Sequence, residues 1–161
     1  MWTRRWTSRF LSSRRSRLKA QTIAAGAAAD DIVIAADTIV VIDGRELGKP
    51  RSEQEALDML RLLSGRTHEV VTVLSVCKGP RIESEAVVTK VTFRTLCEEE
   101  LRAYVRTGEP MDKAGAYGIQ GGAALFCEKL EGDYYNVMGL PVCRLYETLC
   151  RTAPEVMEDT L

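Results

Sequence analysis

Hydrophobic and polar positions alternate along two long segments in the middle of the chain, residues 68–77 and 85–96. Alternation with a period of two is typical of β-strands, because successive side chains point to opposite faces. Between the segments, the sequence Lys-Gly-Pro at 78–80 predicts a turn. The positions that share a face are Val70, Thr72, Leu74 and Val76 on the first strand, and Val87, Thr89, Val91 and Phe93 on the second.

A third strand is predicted where the pattern becomes almost wholly apolar, at residues 32–36. Such a run is typical of a strand that is covered on both faces. Asp37 follows it directly, so we expect its carboxylate at a strand end, where ligand crevices are often found. Residues 38–42 continue as strand, Asp43-Gly44 is a strong hairpin signal, and residues 45–47 form the returning strand. A last strand is expected at 123–128.

Helical spacing and capping signals predict four helices, at residues 17–28, 52–63, 98–107 and 141–151. The second opens with Ser52-x-x-Glu55, a capping box, and Gly65 follows its end as a C′ residue. The third carries three Glu residues in its first turn, where they complement the helix dipole. Together these elements predict a single-domain α/β fold, a mixed sheet flanked by helices.

Length and composition are consistent with one globular domain, since the chain has 161 residues of which 45% are hydrophobic. We expect this domain at 17–151, after an atypical leader at 1–16 and before a tail at 152–161. No apolar run approaches the roughly 20 residues that a membrane-spanning helix needs. The composition therefore gives no reason to expect a membrane partner.

Charge is distributed unevenly along the chain. Residues 1–29 hold seven of the 22 Lys and Arg residues and no Asp or Glu, which leaves 15 basic against 23 acidic residues in the remainder. An excess of acidic residues over residues 30–161 does not favour nucleic-acid binding. The Arg- and Ser-rich leader has the composition of a mitochondrial transit peptide. An altered or wrongly predicted first exon would explain it equally well. We expect a cytoplasmic protein, with a mitochondrial location as the alternative.

The five cysteines are scattered, odd in number and without a Cys-x-x-Cys pair. Most lie among apolar residues, so we expect buried free thiols in a reducing compartment. With one His in the chain and no metal-ligand spacing, a zinc site is not expected.

The glycine-rich segment at 108–122 is the strongest chemical signal. It shows neither helical nor strand periodicity, and it contains Lys113 and Gln120 among its glycines. Glycine allows backbone N–H groups to approach a ligand closely, and a neighbouring lysine suits an anion such as phosphate. The alternative is an ordinary glycine-rich turn.

Several motifs in fixed order make the chain resemble the Maf family of nucleoside triphosphate pyrophosphatases. The resemblance covers residues 17–150 or so, and the segment 136–141, Asn-Val-Met-Gly-Leu-Pro, matches the end of the family pattern. The motifs are Ala36-Asp37-Thr38, Gly48-Lys49-Pro50, Leu63-Ser64-Gly65-Arg66-Thr67-His68 and the run Glu-Pro-Met-Asp-Lys-Ala-Gly-x-Tyr-Gly-Ile-Gln-Gly at 109–121.

The resemblance implies an elongated α/β fold with a deep central groove, similar to inosine triphosphate pyrophosphatase. It also implies a divalent metal cofactor, Mg²⁺ or Mn²⁺, and a homodimer. The form of the glycine-rich motif looks like the branch that cleaves dTTP and UTP to the monophosphate and pyrophosphate, with modified pyrimidine triphosphates as further substrates. Hydrolysis requires an activated water, neutralised phosphate charge and in-line attack on the α-phosphorus.

Three residues carry catalysis and selectivity by this resemblance. Asp37 is implied as the proton acceptor and is also a candidate metal ligand, with a turn or cap residue as the alternative. Thr38 matches a position that tunes substrate choice, and its hydroxyl suits a base or a phosphate; otherwise it is a β-branched strand former. Gln120 matches another selectivity position, since a primary amide fits the O4/N3–H edge of uracil or thymine. Its alternative role is to brace a loop.

Three lysines are candidate substrate contacts. Lys49 and Lys113 are expected to hold phosphates and to stabilise charge in the transition state. Lys49 could instead form a surface ion pair. Lys19 lies in a context similar to the family's Lys-Ala helix, where a lysine faces the triphosphate, although a solvated helix residue fits equally well. His68 begins a strand with no acidic partner nearby in sequence, so we expect a structural role for it.

The chain departs from the family pattern before residue 17. Family members carry a Ser-x-Ser-Pro-Arg-Arg loop after an opening strand, and Ser12-Ser13-Arg14-Arg15 lacks both the proline and the apolar strand. Each lost contact between an arginine and a phosphate costs about 1.5–3 kcal/mol. A weakly active or silent nucleotide-binding isoform is therefore the alternative to an active pyrophosphatase.

Overall fold

The computed structural model describes residues 16–28 and 30–156. Most of the expected leader at 1–16, and residues 157–161 of the expected tail, lie outside these residues. The domain limits inferred from the sequence therefore remain predictions.

The described chain alternates helices with the strands of one sheet. Helical residues 16–24 form α1. The elements that follow are β1 (Ile32–Ile42), β2 (Arg45–Leu47), α2 (Glu53–Leu63), β3 (Thr67–Lys78), β4 (Arg81–Phe93), α3 (Glu98–Val105), β5 (Cys127–Glu131), α4 (Tyr134–Val137) and α5 (Val142–Thr152). Short 3₁₀ turns lie at Glu109–Asp112, Ala114–Ala116, Gly122–Phe126 and Pro154–Val156.

The five strands form one sheet in the order β2-β1-β3-β4-β5. Each of the four strand pairings is antiparallel. The predicted α/β fold with a helix-flanked sheet is therefore confirmed, and the parallel pairing of a mixed sheet is not seen among the described strands. None of the described helices is long and apolar enough to cross a bilayer.

The central strand, β3, is buried on both faces from Val70 to Cys77. On one face, Val70 packs with Val91 and Phe93 against α2 and the glycine-rich segment, in the largest hydrophobic cluster. On the other face, Cys77 packs with residues of β1 and with α1. Apolar side chains on both faces of β3 remove surface from water, which is the main force holding the helices to the sheet.

The second helix begins and ends where its capping signals predicted. The Ser52 hydroxyl accepts a hydrogen bond from the Glu55 amide at 3.2 Å. The Glu55 carboxylate accepts from the amide of Arg51 rather than that of Ser52, so the capping box is displaced by one residue. Gly65 follows the helix with φ of +67°, a conformation that glycine adopts without strain.

Two strand predictions are wrong in position. Asp37 does not end a strand, because β1 is continuous from Ile32 to Ile42 and pairs with β3 on both sides of it. Backbone pairing does not depend on side-chain polarity, so one carboxylate does not interrupt it. The strand expected at 123–128 begins at Cys127, because β4 pairs with residues 127–131 and the preceding apolar residues form a 3₁₀ turn.

The cysteines are free thiols, as predicted, but most of them are not buried. All five cysteines are free, and only Cys77 is buried. Cys97 and Cys143 are exposed because the caps and helix faces on which they lie are turned to solvent, which a scan for apolar neighbours in sequence does not detect.

Gly115 joins the glycine-rich segment to the sheet. Its φ is +70°, and a Cβ placed there would lie 2.9 Å from Cγ2 of Val40, a buried residue of β1. Both the backbone conformation and the packing therefore require glycine.

We expect Gly115→Ala to lower the free energy of unfolding by about 3 kcal/mol, from left-handed strain plus overpacking against Val40. Gly108→Ala is the matched control, because Gly108 has φ of +75° with no atom near its missing Cβ. That change should cost only about 1 kcal/mol. Urea unfolding of both variants measures the difference, and equal losses would contradict the packing argument.

Candidate functional site

A groove of about 580 Å³ lies between the sheet and the glycine-rich segment. Its floor is formed by β1 and β3, one wall by residues between 109 and 121, and another by residues 137–139. Four sequence-predicted site residues line it together: Thr38, Lys49, Lys113 and Gln120. They come from three segments that are far apart in sequence, so the fold alone unites them.

The groove floor is set by the pairing of β1 with β3. Thr38 lies opposite Thr72, and Val40 lies opposite Val70. Because side chains alternate along a strand, Thr38 and Val40 share the face that looks into the groove. The floor therefore combines one hydroxyl with apolar surface.

A backbone hydrogen bond joins the two loops that carry the candidate phosphate lysines. The Gly115 amide donates to the Gly48 carbonyl oxygen at 3.0 Å. This contact fixes Lys49 and Lys113 on the same side of the groove. Lys113 Nζ also donates to Oδ1 of Asp112 at 2.9 Å, an exposed pair that a phosphate could replace at little cost.

A carboxylate that the sequence reasoning did not assign organises the Gln120 loop. Glu109 Oε1 accepts from the Tyr104 hydroxyl at 2.8 Å, and Oε2 accepts from the Gly122 amide at 3.1 Å. A Cβ at Gly121 would lie 2.0 Å from Glu109 Oε1, so only glycine leaves room for this carboxylate. Burial, followed by the neighbouring carboxylate, raises the pKa of Tyr104, which therefore stays a hydrogen-bond donor. The sequence signal was an acid placed inside a glycine-rich motif.

Among the residues that the structure describes, the ionic side chains that line the groove are balanced. Lys49 and Lys113 face Glu109 and Asp112 within one lining. A triphosphate carries several negative charges and needs a clear excess of cations or bound metal. The described part of the lining is thus better suited to a nucleoside and its nearest phosphate than to a whole triphosphate.

Asp37 and Lys19 are brought together, but outside the groove lining. Lys19 Nζ lies 2.6 Å from Asp37 Oδ1, and the Asp37 side chain is 16% exposed. Asp37 directly precedes Thr38 on β1, so its side chain points to the opposite sheet face. Among the described strands, β2 covers only Val40–Ile42 of β1, which leaves the edge of β1 beside Asp37 and Thr38 uncovered by a strand.

The wall at 137–139 is held by Asn136, which is fully buried. Its Nδ2 donates to the Val70 carbonyl oxygen at 3.1 Å and to the Thr89 hydroxyl at 2.9 Å. Thr89 Oγ1 also donates to the Asp133 carbonyl oxygen and accepts from the Asp133 amide. These bonds tie the turn before the wall to β3 and β4. The sequence showed the motif but not this function for its asparagine.

His68 has the structural role expected for it. It is buried beneath the groove, and its Nε2 lies 2.7 Å from the hydroxyl of Tyr117, a groove-lining residue. His68 Nδ1 has no hydrogen-bond partner among the described atoms. Burial lowers the pKa of His68 to about 4, so the imidazole is neutral at pH 7. Tyr117 was not assigned from sequence, and its position in the groove is a new element of the site.

Comparison with known proteins yields a family and close relatives. The profile of the family described as "Maf-like protein" matches residues 5–152. A dTTP/UTP pyrophosphatase of Carboxydothermus hydrogenoformans is 53% identical over 136 residues, which are 83% of this chain and 73% of the relative. A dTTP/UTP pyrophosphatase of Photorhabdus laumondii is 47% identical over 145 residues, 90% of this chain and 74% of the relative. A third dTTP/UTP pyrophosphatase, of Thermococcus onnurineus, is 60% identical over 110 residues, which are 68% of this chain and 60% of the relative.

The buried imidazole predicts a pH-dependent stability. An unfolded histidine has a pKa near 6.5, and that of His68 is lowered to about 4. Between these values the unfolded chain binds a proton that the folded chain does not. Stability should therefore fall by about 3 kcal/mol as the pH decreases from about 6.5 to about 4.

His68 is the only histidine in the chain, so one variant isolates the effect. We expect His68→Gln to remove this part of the pH dependence, because glutamine does not titrate. The measurement is the free energy of urea unfolding at several pH values for both proteins. Parallel curves between pH 4 and 6.5 would show that His68 is not the group responsible.

Proposed function

This chain belongs to the Maf-like protein family, and we propose that it hydrolyses dTTP and UTP to the nucleoside monophosphate and pyrophosphate. It is a nucleoside triphosphate pyrophosphatase, a hydrolase that acts on acid anhydrides. The substrates are proposed from the names of the relatives and from the chemistry of the groove.

The observation that carries the proposal is the meeting of Thr38, Lys49, Lys113 and Gln120 in one groove. Two ammonium groups and two neutral hydrogen-bonding groups are the set needed to hold a phosphate and to recognise a base. Val40, whose side chain lines the same groove, supplies apolar surface for the face of a pyrimidine ring.

The charge balance suggests how the substrate lies. We place the nucleoside in the groove with its base near Thr38 and Gln120, and the first phosphate near Lys49 and Lys113. The α-phosphate then faces the edge of β1 that no described strand covers, and the Lys19–Asp37 pair lies across this edge, on the side of the α-phosphorus opposite the leaving pyrophosphate. Adjacent positions of one strand, Thr38 and Asp37, then serve the base and the attacking water.

In this arrangement Asp37 accepts a proton from the attacking water. The water oxygen forms a bond to the α-phosphorus while the bond from that phosphorus to the bridging oxygen breaks, and pyrophosphate leaves with the electron pair. Lys19 holds the Asp37 carboxylate in place through its 2.6 Å contact and offers positive charge to the phosphates. Lys49 and Lys113 stabilise the charge that develops on the α-phosphate.

A divalent metal remains part of the proposal. Among residues 16–28 and 30–156 there is no group of three His, Cys, Asp or Glu side chains that could hold a metal. Magnesium is often bound through one or two carboxylates together with substrate phosphates, and Asp37 provides one carboxylate. The residues present therefore fit an ion that arrives with the triphosphate, which would neutralise phosphate charge.

We also propose the homodimer implied by the family resemblance. Six of the exposed large hydrophobic side chains fall within residues 134–146, a density typical of an interaction surface. The three tyrosines among them, Tyr134, Tyr135 and Tyr146, are each at least 40% exposed. Sedimentation equilibrium measures the oligomeric state directly.

The alternative is a silent nucleotide-binding isoform, and the placement of Asp37 outside the groove lining is the observation that favours it. The test is pyrophosphate release from dTTP and UTP with Mg²⁺ or Mn²⁺, with and without a chelator. Release that stops with the chelator supports the metal-dependent enzyme. A chain that releases none, while dTTP still raises its melting temperature, is the silent isoform.

We expect Asp37→Asn to reduce the rate of pyrophosphate release at least about 100-fold, because a neutral amide cannot accept the proton. The rise in melting temperature caused by dTTP should persist. Asp43→Asn is the control, since Asp43 pairs with Arg66 on the surface and should leave the rate within about twofold. Equal rates for the Asp37 variant and the native chain would contradict the role of Asp37.

A further inference from the structure

A buried threonine stands behind the hydroxyl on the groove floor. Thr38 Oγ1 lies 2.8 Å from Oγ1 of Thr72, its cross-strand neighbour on β3. Thr72 is fully buried and does not line the groove. Its hydroxyl also donates to the Asn136 carbonyl oxygen at 2.9 Å.

The direction of the bond between the two threonines follows from counting protons. A hydroxyl has one hydrogen, and a carbonyl oxygen can only accept. Since the hydrogen of Thr72 is committed to Asn136, the hydrogen between the two hydroxyls must come from Thr38. Thr38 is therefore left with lone pairs, and no donor, for a ligand in the groove.

The wall of the groove contributes a glycine beside this acceptor. Gly139, which lines the groove, has φ of +105°, and a Cβ at this position would lie 3.4 Å from Thr38 Oγ1. A side chain at this position would lie against the hydroxyl, and the positive φ of Gly139 also favours glycine there.

We propose that Thr72 is a positioning residue that fixes the Thr38 hydroxyl as a hydrogen-bond acceptor, and that Thr38 thereby selects a donor on the nucleoside. Phosphate oxygens are acceptors, so Thr38 does not bind them. The N3–H of uracil or thymine is a donor, whereas N3 of cytosine presents a lone pair. The inference rests on the proposed function, because it takes the groove to hold a nucleoside.

The test compares Thr72→Val with Thr72→Ser. Valine has the shape of threonine without the hydroxyl, so the hydrogen of Thr38 is released to turn into the groove. The carbonyl oxygen of Asn136 still accepts a hydrogen bond from the Gly139 amide at 3.0 Å, so the wall should stay in place. Serine retains the hydroxyl and is the matched control. Melting temperatures establish that both variants fold.

The readout is the ratio of kcat/KM for UTP to that for CTP. We expect Thr72→Val to lower this ratio about tenfold, the usual effect of one hydrogen bond, while Thr72→Ser keeps it within about twofold. If valine lowers both rates equally, Thr72 is only structural and the proposal is wrong. A loss of the ratio in both variants would equally overturn it.

Two further measurements are needed. One distinguishes a donor on the base from a donor on the ribose, and the other distinguishes failure of this inference from failure of the proposed activity. A ribose hydroxyl is also a donor, so the ratio of kcat/KM for UTP to that for 2′,3′-dideoxy-UTP is measured in the same variants. A fall in this ratio instead of in the UTP/CTP ratio shows that Thr38 accepts from a ribose hydroxyl.

If the native chain does not hydrolyse UTP, calorimetric binding of UTP and CTP analogues with an imido bridge between the α- and β-phosphorus gives the same comparison. Binding with the expected preference then supports the inference while the proposed activity fails. An absence of binding overturns both.

Discussion

The long antiparallel pairing between β1 and β3 determines most of what this molecule can do. It runs from Ile32 opposite Lys78 to Val41 opposite Glu69, and it fixes which side of the sheet each side chain of β1 reaches. Thr38 consequently faces the groove and meets Thr72, while Asp37 faces away and meets Lys19. A shift of one residue would exchange these two roles, because side-chain direction along a strand has a period of two.

The glycine-rich segment can form a groove wall because it packs too closely for side chains. Gly115 lies against Val40, and Gly121 lies against the Glu109 carboxylate. Each contact holds a loop that carries a lysine or an amide toward the same space. Glycine therefore acts here through close packing and backbone hydrogen bonds more than through flexibility, and the same contacts explain why the segment has neither helical nor strand periodicity.

Polar groups behind the groove give it a defined hydrogen-bonding character. Asn136 fixes one wall, His68 lies against Tyr117, and Thr72 sets the proton of Thr38, although none of the three lines the groove. All three are buried, so their hydrogen bonds form in a medium of low dielectric constant and are costly to leave unmade. In the arrangement we propose, the hydrogen-bonding preference of the groove is set by residues one layer below its lining.

Local signals in the sequence determined most of the strands, the helix caps and the turns, because alternation, Ser52 and Asp43-Gly44 act through neighbouring residues. The sequence also identified Thr38, Lys49, Lys113 and Gln120 through their motifs, and the tertiary structure decided that they meet in one groove. The sequence could not place Asp37, because the length of β1 depends on its pairing with β3. It also gave no signal for the roles of Glu109 and Thr72, which arise from hydrogen bonds to residues 13 and 34 positions away. Hydrogen-bond partners at such separations are set by packing of the whole sheet, which no local pattern encodes.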